Sequence, residues 1–358
     1  MSFEKGKMNF SVLVSTTPVG DDFEQSIVNE SYSENNPTLD SPVEDFTAGV
    51  SLAAAPKELD RFRLGSHFFA STRKRQFKMP RSRVKEETAL AIQQAVERNG
   101  GDPISRKEKK ELAESVQVAL QDEAQLDYSG TRFVLSNDRK RILVEAASSS
   151  KLDDTLIAIT SAVALSQVKG LQIYSPEFLY EVVMHSSADM YEPLSVAGRG
   201  SSDGLGRDFL TWLWATSEAR GQVAGFTIAL TGMIQLAGED DGTGPVTVIL
   251  KDGAPAIGAE VNASLKQGKK VSKAEFSIAD EELVYNVVID DQMHFRGFTG
   301  PYEVDKTLSH GDNFDGRIMD CIAFMKVVEK MFVAFCEDKN RQSVIDNWVS
   351  SRLVSFTR

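Results

Sequence analysis

The chain has 358 residues, of which 41% are hydrophobic and 26% charged, with only 11 prolines. This length suits one large domain or two ordinary ones, and the composition excludes a disordered, collagen-like or solenoid protein. The formal net charge is −12 at pH 7. Taken as an average, that charge predicts a protein that avoids anionic partners such as nucleic acids and membrane surfaces.

The first elements in chain order are a strand over residues 9–14 and a helix over 21–31. The polar stretch from Ser31 to Pro56 is typical of a surface loop. A strand over residues 64–70 follows, and it leads into a basic run from Ser71 to Pro80.

Two helices are predicted next, and together they suggest a helical hairpin. The first carries apolar or small residues at helical spacing from Val84 to Val96 and stops at Gly100. The second opens on Ser105-Arg-Lys-Glu108, a capping-box pattern in which the serine and the glutamate each accept a hydrogen bond from the other's backbone amide.

The rest of the chain mixes strands with helices. Apolar patterns predict strands over residues 131–135, 141–146, 226–236, 246–251, 271–278, 283–289 and 293–298. They predict helices over residues 153–165, 207–214 and 316–335. Residues 171–184 are ambiguous. This order favours an α+β fold with mainly antiparallel sheets, a protruding helical hairpin arm and a long C-terminal helix.

We divide the chain accordingly into four regions. Residues 1–80 and 127–190 form a central α+β body, 81–126 the basic hairpin arm, 191–300 a second α+β lobe, and 301–358 a C-terminal helical region. Cys321 and Cys336 fall on one predicted helix about 22 Å apart, too far for a disulfide. Free thiols, with no signal peptide or membrane span in the sequence, favour the cytoplasm.

Catalytic patterns are weak. The four histidines lie apart from one another and from both cysteines, which argues against a zinc site. The glycine loop at residues 198–206 lacks the lysine of a P-loop. Short acidic clusters leave a metal-dependent nuclease open as an alternative; they lie at residues 153–154, 239–241, 280–282, 290–291 and at Asp312 with Asp315. We predict no catalytic residue, metal ligand or cofactor.

The basic residues are concentrated in one segment. Residues 61–110 contain 14 basic and 5 acidic side chains, a local +9, whereas the remaining chain has 26 basic against 47 acidic, or −21. Four of these cations crowd the first turn of the second helix, at Arg106, Lys107, Lys109 and Lys110, where positive charge opposes the helix dipole. Such a segment favours a polyanion as partner. The basic run from Ser71 to Pro80 contains a single aromatic residue, Phe77, which favours phosphate contact over base recognition.

Several segments resemble the recombination-associated RdgC family in consistent order. They are Arg73 to Pro80 with the helix that follows, Ser105 to Leu112, Ile142 to Thr155, Val261 to Ile278, and Asn313-Phe-Asp-Gly316. The resemblance implies a nucleoid-associated protein that binds double-stranded DNA without sequence preference. It further implies a ring-like or horseshoe homodimer that encircles the duplex and restrains recombination driven by RecA.

By match to the family segments and by local charge, the DNA-contacting residues predicted here are Arg73, Lys74, Arg75, Lys78, Arg81, Arg83, Arg106, Lys107, Lys109, Lys110, Lys269 and Lys270. The sequence departs from the family at Gln121 to Gln125, which is acidic and lacks an aromatic residue. Three hypotheses follow: a non-catalytic duplex-binding protein, a metal-dependent DNA exonuclease, and a regulator that docks on an acidic protein.

Overall fold

A computed structural model describes residues 3–38, 41–50, 57–121, 124–200, 204–238, 246–251 and 258–355. The strands are β1 Met8–Ser15, β2 Val43–Ala48, β3 Arg63–Leu64, β4 His67–Lys78, β5 Gln125–Ser129, β6 Arg132–Leu135, β7 Arg141–Val144, β8 Leu171–Ile173, β9 Ser195–Val196, β10 Arg199–Gly200, β11 Gln222–Val223, β12 Phe226–Ala237, β13 Thr247–Leu250, β14 Lys270–Ala279, β15 Val284–Asp290 and β16 Phe295–Thr299.

The α-helices in the same residues are α1 Phe23–Asn29, α2 Arg81–Arg98, α3 Arg106–Ala119, α4 Ser149–Ala162, α5 Pro176–Met184, α6 Leu205–Arg220, α7 Ala259–Lys266, α8 His310–Glu337 and α9 Arg341–Ser355. No helix in the described part of the chain is both long and apolar enough to cross a bilayer.

One large sheet runs through most of the described residues. Its main order is β11-β12-β14-β15-β16-β1-β7-β6-β4-β2, with β13 on β12, β3 and β5 on β4, and β8 on β1. All of these strand pairs are antiparallel. The predicted α+β class with a mostly antiparallel sheet is confirmed.

The centre of the sheet is buried on both faces. Successive side chains of a strand point to opposite faces, so neighbouring residues enter different cores. On β7, Leu143 packs in a larger core with α6 and α8, whereas Ile142 and Val144 pack in a smaller core with α1 and α4. This double burial explains why the strands at the centre read as continuous apolar runs.

The long helix α8 supplies much of the larger core. It starts at His310, six residues before the predicted start, because Ser309 and Asp312 form a capping box there. Phe324 lies against the rings of Phe295 and Phe298, with centroid distances of 5.4 and 5.0 Å. Both cysteines are buried free thiols, as predicted.

Two expectations from the sequence were wrong. The stretch from Ser31 to Pro56 is not loop throughout, because Val43–Ala48 forms β2 and pairs with β4. The basic run after residue 70 does not follow a strand but continues β4 to Lys78. In both segments polar residues such as Asp45 and Arg73 occupy buried positions, so the sequence does not alternate between apolar and polar residues as a half-buried strand would.

Candidate nucleic-acid interface

The cations on and before β4 are paired with carboxylates. Nε of Arg73 donates to Oδ1 of Asp45 at 2.7 Å, and both side chains are buried. The hydrogen bond with Asp45 is the largest influence on the pKa of Arg73 and raises it. The same guanidinium stacks 5.4 Å from the ring centre of Tyr32. Arg73 therefore holds the fold together and is withdrawn from the predicted DNA-contacting set.

The other predicted cations of β4 are also engaged, although less deeply. Arg75 donates to the backbone carbonyls of Ser33 and Asn35, and its side chain is only 11% exposed. Lys74 lies 2.8 Å from Glu44, and Lys78 pairs with Asp127. The two lysines are about half exposed, so only they on this strand can reach a phosphate by exchanging a surface partner.

Lys269 and Lys270 lie in the interior. The ammonium of Lys270 is fully buried and lies 2.6 Å from Oδ1 of the equally buried Asp208, while Lys269 is 6% exposed. Asp208 also accepts hydrogen bonds from the hydroxyl of Tyr191 and the amide of Leu194. Lys270 is enclosed and Lys269 is nearly so, and this burial disfavours the predicted contacts of the two lysines with DNA.

The two helices α2 and α3 are different, because neither contains a buried residue. They pack on each other, and Arg81, Arg106 and Lys109 are exposed. Arg83 is exposed as well, and the first turn of α2 contains no acidic residue. Of the predicted residues, those on this helix pair are the ones that form an exposed basic surface.

The start of α3 is fixed by its cap. The Ser105 hydroxyl accepts from the amide of Glu108 at 3.2 Å, and the Glu108 carboxylate accepts from the amide of Ser105 at 2.8 Å. Both hydrogen bonds lower the pKa of Glu108, and the bond from the Ser105 backbone amide has the larger effect. The capping box predicted from the sequence is confirmed. It also holds the one acidic side chain among the four cations against the backbone.

Those four cations are Arg106, Lys107, Lys109 and Lys110. Lys107 and Lys110 approach Glu111 and Glu114 at 3.8 and 3.7 Å, with lysine side chains 87% and 79% exposed. In both pairs the lysine precedes the glutamate, which is the weaker order on a helix. Both ammonium groups can therefore leave these partners for a phosphate at little cost.

The total charge of the helix pair is small. Residues 81–119 contain eight basic and seven acidic side chains, a net +1. The local charge of +9 over residues 61–110 therefore overstates the basic surface. Carboxylates neutralise cations of β4, and the end of α3 adds Glu111 and Glu114. What distinguishes the surface is the concentration of four cations within five residues, which defines the α3 cation cluster, Arg106 to Lys110.

Replacing Ser105 with alanine should destabilise α3 by about 1 kcal/mol, because it removes one capping acceptor and releases Glu108. We expect lower helix content by circular dichroism and weaker duplex binding, since the freed carboxylate then competes with phosphate for the cluster. Ser115→Ala on the same helix serves as the control. Equal affinities for the two variants would contradict a role for the cap.

An exposed aromatic residue was missed by the sequence analysis. Tyr128 is 49% exposed on β5, where it is paired in register with Arg75. The neighbouring Leu126 is 38% exposed and faces Phe77 in the ladder. The two-residue spacing of Leu126 and Tyr128 is the signal that could have identified this strand.

Acidic residues of three of the clusters accept hydrogen bonds from backbone amides. Asp290 accepts from the backbone amides of Gln292 and His294, and Asp315 accepts from the amide of Ser66. Asp280 closes a turn by accepting from two amides. Residues 239–241 lie outside the described residues. So do residues 122 and 123, which belong to the stretch from Gln121 to Gln125 where the sequence departs from the family. Within the described ranges, no group of three or more His, Cys, Asp or Glu residues is arranged to hold a metal ion.

A family model described as "Putative exonuclease, RdgC" matches residues 24–177. The resemblance to RdgC is confirmed for this segment. The matched RdgC segment runs from α1 through α2 and α3 to the start of α5, so it includes the whole helix pair and the α3 cation cluster. No curated protein matches the chain.

Proposed function

We propose that this RdgC-like protein binds double-stranded DNA without sequence preference and does not cleave it. The observation that carries the proposal is the α3 cation cluster, exposed on a helix pair inside the matched segment. Stability alone disfavours this arrangement, because cations at a helix N-terminus oppose the helix dipole by about 0.3–1 kcal/mol each. A phosphate bound there would offset the unfavourable interaction of these cations with the helix dipole. It would also accept hydrogen bonds from the first-turn amides.

Nonspecific recognition follows from the side chains. The cluster contains lysines and one arginine and no aromatic residue, so it offers charge without a platform for bases. Tyr128 lies on a neighbouring element and is a single ring. Binding of this kind depends on counterion release and is steeply weakened by salt.

The finer parts of the proposal come from the family. We propose that the protein acts as a homodimer with ring or horseshoe shape, associates with the nucleoid in the cytoplasm, and restrains a RecA-type recombinase. A dimer would place two α3 cation clusters on one duplex, which raises the effective concentration of cations at the DNA.

Fluorescence anisotropy with labelled duplexes of two unrelated sequences tests the proposal. We expect equal affinities for the two duplexes, and log Kobs should fall against log salt with a slope of about −0.9 for each phosphate contacted. An affinity that does not change between about 50 and 200 mM salt would contradict it. Capture of an acidic protein without DNA retention would favour the protein-docking hypothesis instead.

The family description keeps exonuclease activity as the second candidate. Labelled linear duplex incubated with Mg²⁺ or Mn²⁺ at excess protein distinguishes the two functions. We expect the substrate to remain intact, and stepwise shortening from the ends would support the exonuclease.

A further inference from the structure

A buried histidine connects two serines at the junction of β1, β16 and α4. Nδ1 of His294 lies 2.6 Å from Oγ of Ser11, and Nε2 lies 3.1 Å from Oγ of Ser149. His294 is 4% and Ser11 1% exposed, whereas Ser149 is exposed at the first position of α4. A buried base therefore contacts a hydroxyl that solvent can reach.

The hydrogen-bond directions follow from the proton count. The single hydroxyl proton of Ser11 is donated to the carbonyl of Ala146 at 2.8 Å. The Ser11 oxygen must then accept from His294, which places the ring proton on Nδ1. Nε2 is left with a lone pair, so Ser149 donates its hydroxyl proton to it. This is the order of donor and acceptor that activates a nucleophilic serine.

The surrounding backbone holds this geometry. Ala146 and Ala147 precede the serines at the start of α4. Ser11 of β1 donates to the carbonyl of Ala146, and Arg296 of β16 donates to the carbonyl of Ala147 at 2.6 Å. Ser148 caps α4 without a side-chain bond, and the first intrahelical bond runs from the amide of Leu152. The amides of the first turn thus have no helical acceptor and can receive a developing negative charge.

The nearby charges select the substrate. Burial is the largest influence on His294 and lowers its pKa below the usual value; Arg296 also lowers it, whereas Asp290, Asp291 and Asp153 act to raise it. The ring is therefore neutral at pH 7, as a general base must be. Asp290 is paired with Arg296 at 3.1 Å and Asp291 with Arg207 at 2.8 Å, so these charges are balanced and an uncharged substrate suits the site.

We propose that Ser149 is a nucleophile, with His294 as its general base, toward small uncharged carboxylic esters. The Ser149 oxygen forms a bond to the ester carbonyl carbon while His294 takes the hydroxyl proton. The bond from carbon to the leaving oxygen then breaks, and His294 returns the proton to the departing alcohol. Water hydrolyses the acyl-serine by the same proton route and releases the carboxylic acid. This chemistry is separate from duplex binding.

The full chain with p-nitrophenyl acetate tests the proposal through nitrophenolate release and mass spectrometry of the acetylated site. Ser149→Ala and His294→Gln should each lower release by at least about tenfold, since general bases contribute about 10²–10⁴-fold. Ser148→Ala and Ser150→Ala are matched controls on the same exposed turn and should stay within about twofold of the unsubstituted protein. Ser11→Ala should also slow release, and Ser11→Thr, which keeps the hydroxyl, should restore it.

Thermal melting of each variant shows whether it is folded. The exposed Ser149 allows a variant with little risk to folding, so the comparison of Ser149→Ala with Ser148→Ala decides the question even if His294→Gln unfolds. Equal release by these two alanine variants would overturn the proposal, and so would acetylation spread evenly over the three serines.

Discussion

Reversing the charge of the α3 cation cluster should lower duplex affinity roughly a hundredfold or more at low salt. The variant replaces Arg106, Lys107, Lys109 and Lys110 with glutamate. Each lost phosphate contact should also reduce the magnitude of the salt slope by about 0.9. The loss should be the same on every duplex sequence, because phosphates rather than bases are contacted. Anisotropy at several salt concentrations measures affinity and slope together.

A matched variant separates local contact from total charge. Lys5, Lys7, Lys326 and Lys339 are exposed and lie outside the helix pair, and their replacement by glutamate changes the net charge equally. We expect this control to keep most of the affinity. An equal loss in both variants would show that overall charge, and not the cluster, governs binding. Circular dichroism should show α3 intact, since glutamate near a helix N-terminus is favourable.

Replacing Lys270 with methionine should lower the free energy of unfolding by about 3–5 kcal/mol. Methionine resembles lysine in length but removes the charge, so Asp208 is left as a buried carboxylate without its cation. Tyr191 and Leu194 still donate to it, yet neither carries a charge. Urea or thermal denaturation measures the loss.

The loss should also depend on pH. Burial is the largest influence on Asp208 and raises its pKa. Between the unfolded pKa of about 3.9 and the higher folded pKa, the folded state holds a proton that the unfolded state has released, so stability falls as pH rises. Without Lys270 the folded pKa rises further, so the deficit of Lys270→Met should be larger at about pH 8 than at about pH 5.

Lys266→Met is the control for this prediction, because Lys266 is exposed at the end of α7 and only four residues away. It should change stability by no more than about 0.5 kcal/mol. Similar losses in the two variants, or a pH-independent loss in Lys270→Met, would contradict an essential buried ion pair. The double variant Asp208→Asn with Lys270→Met should recover part of the stability, since it removes the orphaned charge.

The sequence predicted the elements with strong local patterns and missed those defined by distant partners. Helices α2, α3 and α8 and the strands β1 and β12 follow from spacing and capping within each segment. β2 is a strand because β4 lies beside it, and no local repeat reveals that. α6 was predicted only over residues 207–214, since a helix buried all round lacks a polar face to mark its period.

The same distinction applies to the interface. Counting charges along the chain treats Arg73, Lys270 and Lys107 alike. In the fold, Asp45 neutralises Arg73 and Asp208 neutralises Lys270, both in the interior and both from distant parts of the sequence. Lys107, in contrast, pairs with Glu111 on an exposed helix. A charge count therefore located the region, and only the fold could separate structural cations from available ones.

The position of β1 affects how the protein is made. This strand pairs with β7 through residues 11–14 and with β16 through residues 8–10. In the pairing with β16, Met8 lies opposite Phe298. A nascent chain can pair the second half of β1 with β7 and β8 early, but the end of β1 from Met8 to Phe10 waits for β16, nearly three hundred residues later in the chain. Such high contact order slows folding and exposes an unpaired edge to other chains. Completion of the sheet is thus a late step in folding, because it requires strands from the C-terminal part of the chain.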